Sequence, residues 1–231
     1  AAATLDLPPP AASNGWAIGA ERSAAGGGML LANPHFPWEK TERLYMAHLQ
    51  VGDIEIMGAA LIGLPAVLIG FNEHFAWSHT VSTAFRFSFY ELSLNPVNPR
   101  QYFFDGELRD MEAHPITIEI LEADGSIRPE TRTLYRSHYG PMLEFEVSGV
   151  PILNWTPVAA YTLRDANAEN DRLLNQFFRW NQATSFEEFV ELHSSVLGTP
   201  WVNTVATGPG KPVYYGDVTV VPNVPDDLTL T

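Results

Sequence analysis

The chain has 231 residues, 45% hydrophobic and 17% charged, a composition that builds a packed core and excludes a disordered segment. Its 27 acidic against 13 basic residues give a formal net charge of −14, which excludes nucleic acid and anionic membrane surfaces as partners, since both demand clustered Lys and Arg. Cysteine is absent, which excludes disulfides, thiolate catalysis and cysteine-ligated zinc.

In chain order, the first twelve residues hold Pro8-Pro9-Pro10 between alanines, a composition that favours extended polyproline geometry. The start, Ala1-Ala2-Ala3, has neither an initiator Met nor a basic and apolar leader, and Pro222–Thr231 stops without an obvious structural close. A piece of a larger protein is expected. Two short strands follow at Trp16–Gly19 and Met29–Ala32, separated by the turn Ser23–Gly28. Further strands are expected at Leu44–Val51, Ile54–Leu61, Ala66–Phe71 and Phe85–Leu92. The longest apolar stretch, Met57–Phe71, is broken by Gly58, Gly63, Pro65 and Gly70, so it reads as strand, turn and strand, with no membrane insertion.

Ile116–Leu121 and Thr131–Tyr135 bracket the turn Glu122–Gly125 and predict a hairpin with a long loop. Leu173, Leu174, Phe177 and Phe178 make an apolar stripe in a helix expected over Asn167–Trp180. Ser185-Phe186-Glu187-Glu188 reads as a capping box that opens a second helix reaching Leu197, ended by Gly198. Strands at Trp201–Ala206 and Val213–Gly216 surround the turn Gly208-Pro209-Gly210. Many strands, a helix pair and returning strands indicate an α+β fold.

The residue with the most chemical promise is Ser13, at the head of Ser13-Asn14-Gly15-Trp16. Asn14-Gly15 is a favoured hairpin-turn pair, so Ser13 has a plain reading as the residue before a tight turn. Cleavage of the bond before it would instead give one residue both a hydroxyl and a free α-amine, a nucleophile and its base together. His35, in Asn33-Pro34-His35, has the same two sides: a histidine satisfied by local backbone, or a partner of Ser13. No histidine spacing suits a metal, and His74 and His79 read as structural. No cofactor is expected.

Ser13-Asn14-Gly15-Trp16-Ala17 and Gly28-Met29-Leu30-Leu31-Ala32-Asn33-Pro34-His35 resemble the opening of the β-chain of the penicillin acylase family, nearest its acyl-homoserine-lactone acylase and aculeacin-type branch. The resemblance runs on through Met57-Gly58-Ala59, Gly63-Leu64-Pro65, Ile69-Gly70-Phe71-Asn72 and Ala76-Trp77-Ser78-His79-Thr80-Val81. It continues through Tyr161–Asn167 and Pro200-Trp201-Val202-Asn203-Thr204, and so covers nearly everything from Ser13 onward.

That resemblance implies an N-terminal-nucleophile hydrolase with an αββα sandwich, present here only in part. Residues 1–12 would be a spacer remnant and residues 13–231 the N-terminal part of the acylase β-chain, with the cut between Ala12 and Ser13. Ser13 would be the nucleophile, His35 would orient its hydroxyl or amine, and the Val81 N–H would donate to the oxyanion. Phe36, Leu61, Leu64, Phe177, Trp201 and Val202 would line an apolar acyl pocket, although such residues are also ordinary core. The substrate would be a small N-acylated molecule, a fatty acyl amide of homoserine lactone or a lipopeptide; alternatives are a β-lactam acylase, or an unprocessed, noncatalytic β-rich binding module. The family's second oxyanion donor, an asparagine, and its accompanying arginine would fall beyond Thr231, and Asn203 stands in a different motif. The piece alone is therefore expected to need the missing α-chain and the rest of the β-chain. A periplasmic or secreted location is implied by the resemblance alone.

Overall fold

The computed structural model describes residues 12–39, 42–147 and 149–225; of the extended lead expected over residues 1–12 only Ala12, in a strand, is among them, and the end of the tail lies outside them. The first part of the chain holds β1 (Ala12–Ile18), a single 3-10 turn, β2 (Met29–His35), β3 (Leu44–Val51), β4 (Ile54–Leu61), β5 (Ile69–Phe71) and β6 (Ala76–Val81). The middle holds β7 (Phe87–Asn95), β8 (Asn98–Phe104), β9 (Glu107–Asp110), β10 (Glu112–Leu121) and β11 (Ile127–Arg136). Then come β12 (Met142–Leu143), β13 (Phe145–Val147), β14 (Val150–Leu153) and β15 (Ala159–Asp165). The last part holds α1 (Leu173–Gln182), α2 (Phe186–Val196), β16 (Val202–Thr207) and β17 (Tyr214–Asp217). Two compact units result, one built on Phe87–Ala168 and the other on residues 12–86 with Glu169–Asn223.

The second of these units carries Ser13. Its centre is an antiparallel six-stranded sheet in the order β17-β16-β6-β5-β4-β3. Side chains alternate between the faces of a strand, and β6 divides accordingly. Trp77 and His79 face the helices: Trp77 packs on Phe189, and His79 stacks on Trp180 with ring centroids 5.8 Å apart. Ile56, Val67, Phe75, Phe177, Phe186, Leu192 and Val196 complete that core. On the other face lies the β1–β2 hairpin. A Cβ on Gly15 would meet Val205 Cγ1 at 3.1 Å and Thr80 Cγ2 at 3.7 Å, so the strand rests almost directly on β6 and β16. Helices, sheet and hairpin are three successive layers, part of an αββα stack.

A second close approach sits inside the sheet. Gly58 and Gly70 face each other across β4 and β5, and a Cβ on Gly58 would strike the Ile69 carbonyl. These glycines break the apolar run because two backbones need the space, and β5 is shorter than the expected Ala66–Phe71.

The helices depart from expectation in an instructive way. α1 starts six residues later than the predicted Asn167, because the Asp165 side chain accepts the Asn167 N–H at 2.8 Å and holds a turn there. Its buried face is Gln176, Phe177 and Trp180, while Leu174 and Phe178 remain exposed. Gln176 is tolerated inside because Nε2 donates to the Leu192 carbonyl and Oε1 accepts from the Gly198 N–H. Ser185 caps α2 as expected, its Oγ accepting the Glu188 N–H at 3.1 Å, but the Glu188 carboxylate accepts from the Thr184 N–H, one residue before the cap. The helix ends with Leu197 in left-handed geometry (φ 55°), just before the expected Gly198.

The other unit is a five-stranded antiparallel sheet in the order β12-β15-β7-β8-β9, with the hairpins β10–β11 and β13–β14. Leu92, Leu94, Tyr102, Met111 and Ala160 form its core. The expected hairpin is longer than its apolar pattern, pairing Glu112–Leu121 fully with Ile127–Arg136 and leaving a short turn in place of the predicted long loop. No described helix is long and apolar enough to cross a membrane.

Candidate active site

Ser13-Asn14-Gly15 is not a turn. All three lie inside β1, paired with Pro34, Asn33 and Ala32 of β2. The Asn-Gly signal fails because the strand is held by its neighbours on both counts: β2 alongside, and β6 with β16 beneath, where a residue without a Cβ is required at Gly15. Alternation along β1 leaves Ser13, Gly15 and Ala17 half-buried and Ala12, Asn14, Trp16 and Ile18 exposed. The Ser13 side chain therefore points inward, to the face that Gly15 turns to Thr80 and Val205. Its hydroxyl donates to the carbonyl oxygen of Ala12, the residue before it, at 2.5 Å.

His35 lies directly opposite Ala12, and its ring belongs to the outer face. There Asn14 Nδ2 and His35 Nε2 lie 3.4 Å apart. The structure thus puts His35 across from the bond before Ser13, on the opposite face from the Ser13 hydroxyl.

Val81 closes β6, opposite Val202 of β16. The next residue, Ser82, donates its N–H to the Trp201 carbonyl at 2.8 Å. Main-chain groups alternate in direction along a strand, so the Val81 N–H is turned away from β16. On that other side β5 pairs only with Ala76 and Trp77, and so ends well short of Val81. The Val81 N–H consequently faces past the end of its neighbouring strand. Trp201 holds a left-handed backbone (φ 60°), costly for a bulky residue, and Arg86 sits over its indole at 5.1 Å.

The six expected pocket residues are not brought together in one wall. Phe177 is fully inside the helix-facing core, edge-on to His79 and Trp180, and Leu61 and Leu64 pack against that same core. Phe36 and Val202 are half-buried, and Trp201 is 44% exposed. A cleft of about 480 Å³ does exist in this unit, but His48, Glu55, Phe71, His74 and Asn181 are among its lining and none of the expected site residues is. Among the described residues no group of His, Asp and Glu is arranged to hold a metal ion.

His79 and His193 behave as core histidines. His79 Nδ1 meets Thr204 Oγ1 at 3.2 Å, and His193 bridges the Tyr214 hydroxyl and Thr199 Oγ1 at 2.9 and 3.0 Å. Burial pushes both down to about 4. Two residues near Val81, Ser82 and Asp217, have no place in the sequence reading of the site, and Asn203 enters it only as part of a different motif. Ser82 and Asp217 are 135 positions apart and share no motif, so no local pattern could have joined them.

The layered arrangement, with a serine-bearing hairpin laid on a helix-backed antiparallel sheet, is the N-terminal-nucleophile hydrolase fold, present in part. It superposes on a thermostable penicillin G acylase from Alcaligenes faecalis with a TM-score of 0.76 over 92% of this chain and 36% of that one, at 23% identity. The profile of the penicillin amidase family matches residues 1–230, and the chain belongs to that family. Relatives include the acyl-homoserine lactone acylase PvdQ of Pseudomonas fluorescens strain Pf0-1, 42% identical over 93% of this chain. Aculeacin-A acylase of Actinoplanes utahensis is 42% identical over 92%. The chain spans about a quarter of these relatives, 27% and 26% of their lengths.

Proposed function

We propose that this chain carries the nucleophile-bearing part of an N-acyl amide hydrolase that activates itself by cleavage between Ala12 and Ser13. Residues 1–12 are then spacer, and residues 13–231 are the N-terminal part of the β-chain. The observation that carries the reading is the Ser13 hydroxyl lying 2.5 Å from the Ala12 carbonyl oxygen, against the very amide to be cut, in a chain of the penicillin amidase family.

In the first step Ser13 Oγ attacks the Ala12 carbonyl carbon. The C–N bond breaks, the nitrogen gains a proton, and Ala12 is left as an ester on Oγ. Water then hydrolyses the ester, releasing the Ala12 carboxylate and restoring the hydroxyl. What remains is a serine with a free α-amine, whose usual pKa of about 7.7–8.0 leaves part of it neutral near pH 7 and able to take the hydroxyl proton. Attack on a substrate amide repeats the sequence: a tetrahedral oxyanion, an acyl-enzyme with release of the amine, then hydrolysis to the free acid.

The oxyanion needs fixed donors, each worth roughly 3–4 kcal/mol. The Val81 N–H is one, supported by its freedom from strand pairing, and the second comes from the part of the protein beyond Thr231. His35 suits the amine better than the hydroxyl. The amine nitrogen lies on the strand axis, within reach of the outer face that His35 occupies, whereas the hydroxyl points inward.

A fatty acyl amide, with homoserine lactone or a lipopeptide as the amine, is the substrate class favoured by the relatives at 42% identity. Of the six expected acyl-pocket residues the acyl chain is read as meeting Phe36, Trp201 and Val202, since Leu61, Leu64 and Phe177 belong to the helix-facing core, in an enzyme of the periplasm or exterior. The test is Ser13→Ala in the full-length protein, with intact mass, N-terminal sequencing and an N-acyl substrate series. Loss of both the new Ser-Asn-Gly-Trp terminus and turnover is expected. A variant that still splits and hydrolyses would sink the assignment.

A further inference from the structure

Residues 80 to 82, where β6 ends and the chain leaves it, are tied to neighbouring strands at three successive positions. Asn203 Nδ2 donates both to Thr80 Oγ1 at 3.0 Å and to the Val81 carbonyl at 3.3 Å. A carbonyl oxygen can only accept, so this contact fixes which end of the Asn203 amide faces Val81. Ser82 is held twice over. Its N–H goes to the Trp201 carbonyl at 2.8 Å, and its buried hydroxyl donates to both carboxylate oxygens of Asp217, at 3.1 and 3.0 Å. The same hydroxyl accepts the Ala84 N–H at 3.2 Å, so it also fixes the chain leaving the strand. Asn203 and Asp217 are themselves directly paired across β16 and β17. One cross-strand pair thus grips the chain on both sides of Val81.

Secondary structure does not call for this. Ser82 lies just past the end of β6, where a strand usually frays, and a hydroxyl aimed at a carboxylate is among the stronger neutral-to-charged hydrogen bonds. Resting on the reading of Ser13 as nucleophile and the Val81 N–H as oxyanion donor, we propose that Asp217, acting through Ser82, and Asn203, acting on the Val81 carbonyl, are positioning residues that hold that N–H in one orientation. A donor contributes to catalysis only when it is already aimed at the developing charge, because reorientation during the reaction cancels the gain. Neither residue touches the substrate in this account. Both act by removing the freedom of the main chain at residue 81.

The test uses the full-length protein with Asp217→Ala, Asp217→Asn and Ser82→Ala, read by steady-state kinetics and thermal midpoint, alongside Ser13→Ala. Asp217→Ala and Ser82→Ala should lower kcat roughly tenfold or more with KM within about twofold, the pattern of a contact made only in the transition state. Asp217→Asn keeps an acceptor for the Ser82 hydroxyl and should recover much of the loss. An unchanged kcat in a mature Asp217→Ala enzyme overturns the proposal. So does a loss that is equal in Asp217→Ala and Asp217→Asn and simply follows a lowered thermal midpoint. If Ser13→Ala is inactive while the Asp217 and Ser82 variants behave as wild type, only the brace falls; if Ser13→Ala matures and turns over, the nucleophile reading falls with it.

Discussion

On the proposed reading Ser13 has to be two things in succession: a strand residue whose hydroxyl lies on the preceding carbonyl, and a chain terminus whose amine serves that hydroxyl. Both follow from its place in β1, where its side chain points inward and its nitrogen lies on the strand axis. At the same scale, Trp201 is the expected pocket residue best placed to meet an acyl chain, since it is 44% exposed while Phe177 is buried in the core. Its strained backbone and the Arg86 guanidinium hold the indole in one pose. Trp201→Ala should raise kcat/KM for long acyl chains relative to short ones by about tenfold, since each added apolar contact in a pocket discriminates on that order. An unchanged ranking across a chain-length series would remove Trp201 from the site. The family motifs single out Ser13, His35 and Val81 as site candidates. They do not give the direction of each side chain, which depends on strand register, nor point to Asp217, which meets the end of β6 only through Ser82.

The elements were readable wherever a local cause formed them. β3 and β4 match their expected bounds because clean apolar runs meet a Gly52-Asp53 turn, and Ser185 announces α2 by its own chemistry. β15 was not foreseen, since it is a strand only because β7 and β12 flank it. α1 was drawn too long, because an Asp165 turn overrode its helical periodicity. Packing of the helices on the sheet also has a pH signature. His79 and His193 accept protons in the unfolded chain as pH falls through about 6.5, but in the folded one only near 4. Between those values the unfolded state binds more protons, so stability falls as pH falls, by roughly 3 kcal/mol per histidine by pH 4. The Asp217 charge works against this at His193 and burial outweighs it. Denaturant midpoints measured from pH 7 to pH 4 should show the decline, and His193→Gln should flatten about half of it. A profile level across that window would mean the two rings are not buried as described.

The whole molecule is defined as much by what it leaves uncovered as by its cores. The outer face of the β1–β2 hairpin exposes Trp16, Ile18, Met29 and Leu31, the last 66% accessible. A cluster of exposed apolar side chains of this kind marks a surface meant for burial. In an αββα stack a further layer would cover it. Residues 13–231 expressed alone should therefore be inactive on N-acyl amides and should bind an apolar dye strongly, whereas the full-length protein should bind little. Dye binding equal in the two would show that the face stays open in the complete enzyme.

The partner of Ser13 across the hairpin is Pro34, a residue with no N–H to give. A proline is tolerated in a strand only where its nitrogen faces away from the neighbour, so Ser13 and Pro34 cannot exchange a pair of main-chain bonds. The bonds that hold β1 in register then belong to Ala12, opposite His35, and to Asn14 and the residues after it. On the proposed reading, loss of residues 1–12 removes the one rung at Ala12 and leaves those from Asn14 onward. If the proposed cut is made, the strand stays moored from Asn14 on, and the new terminus keeps the position it held in the intact chain.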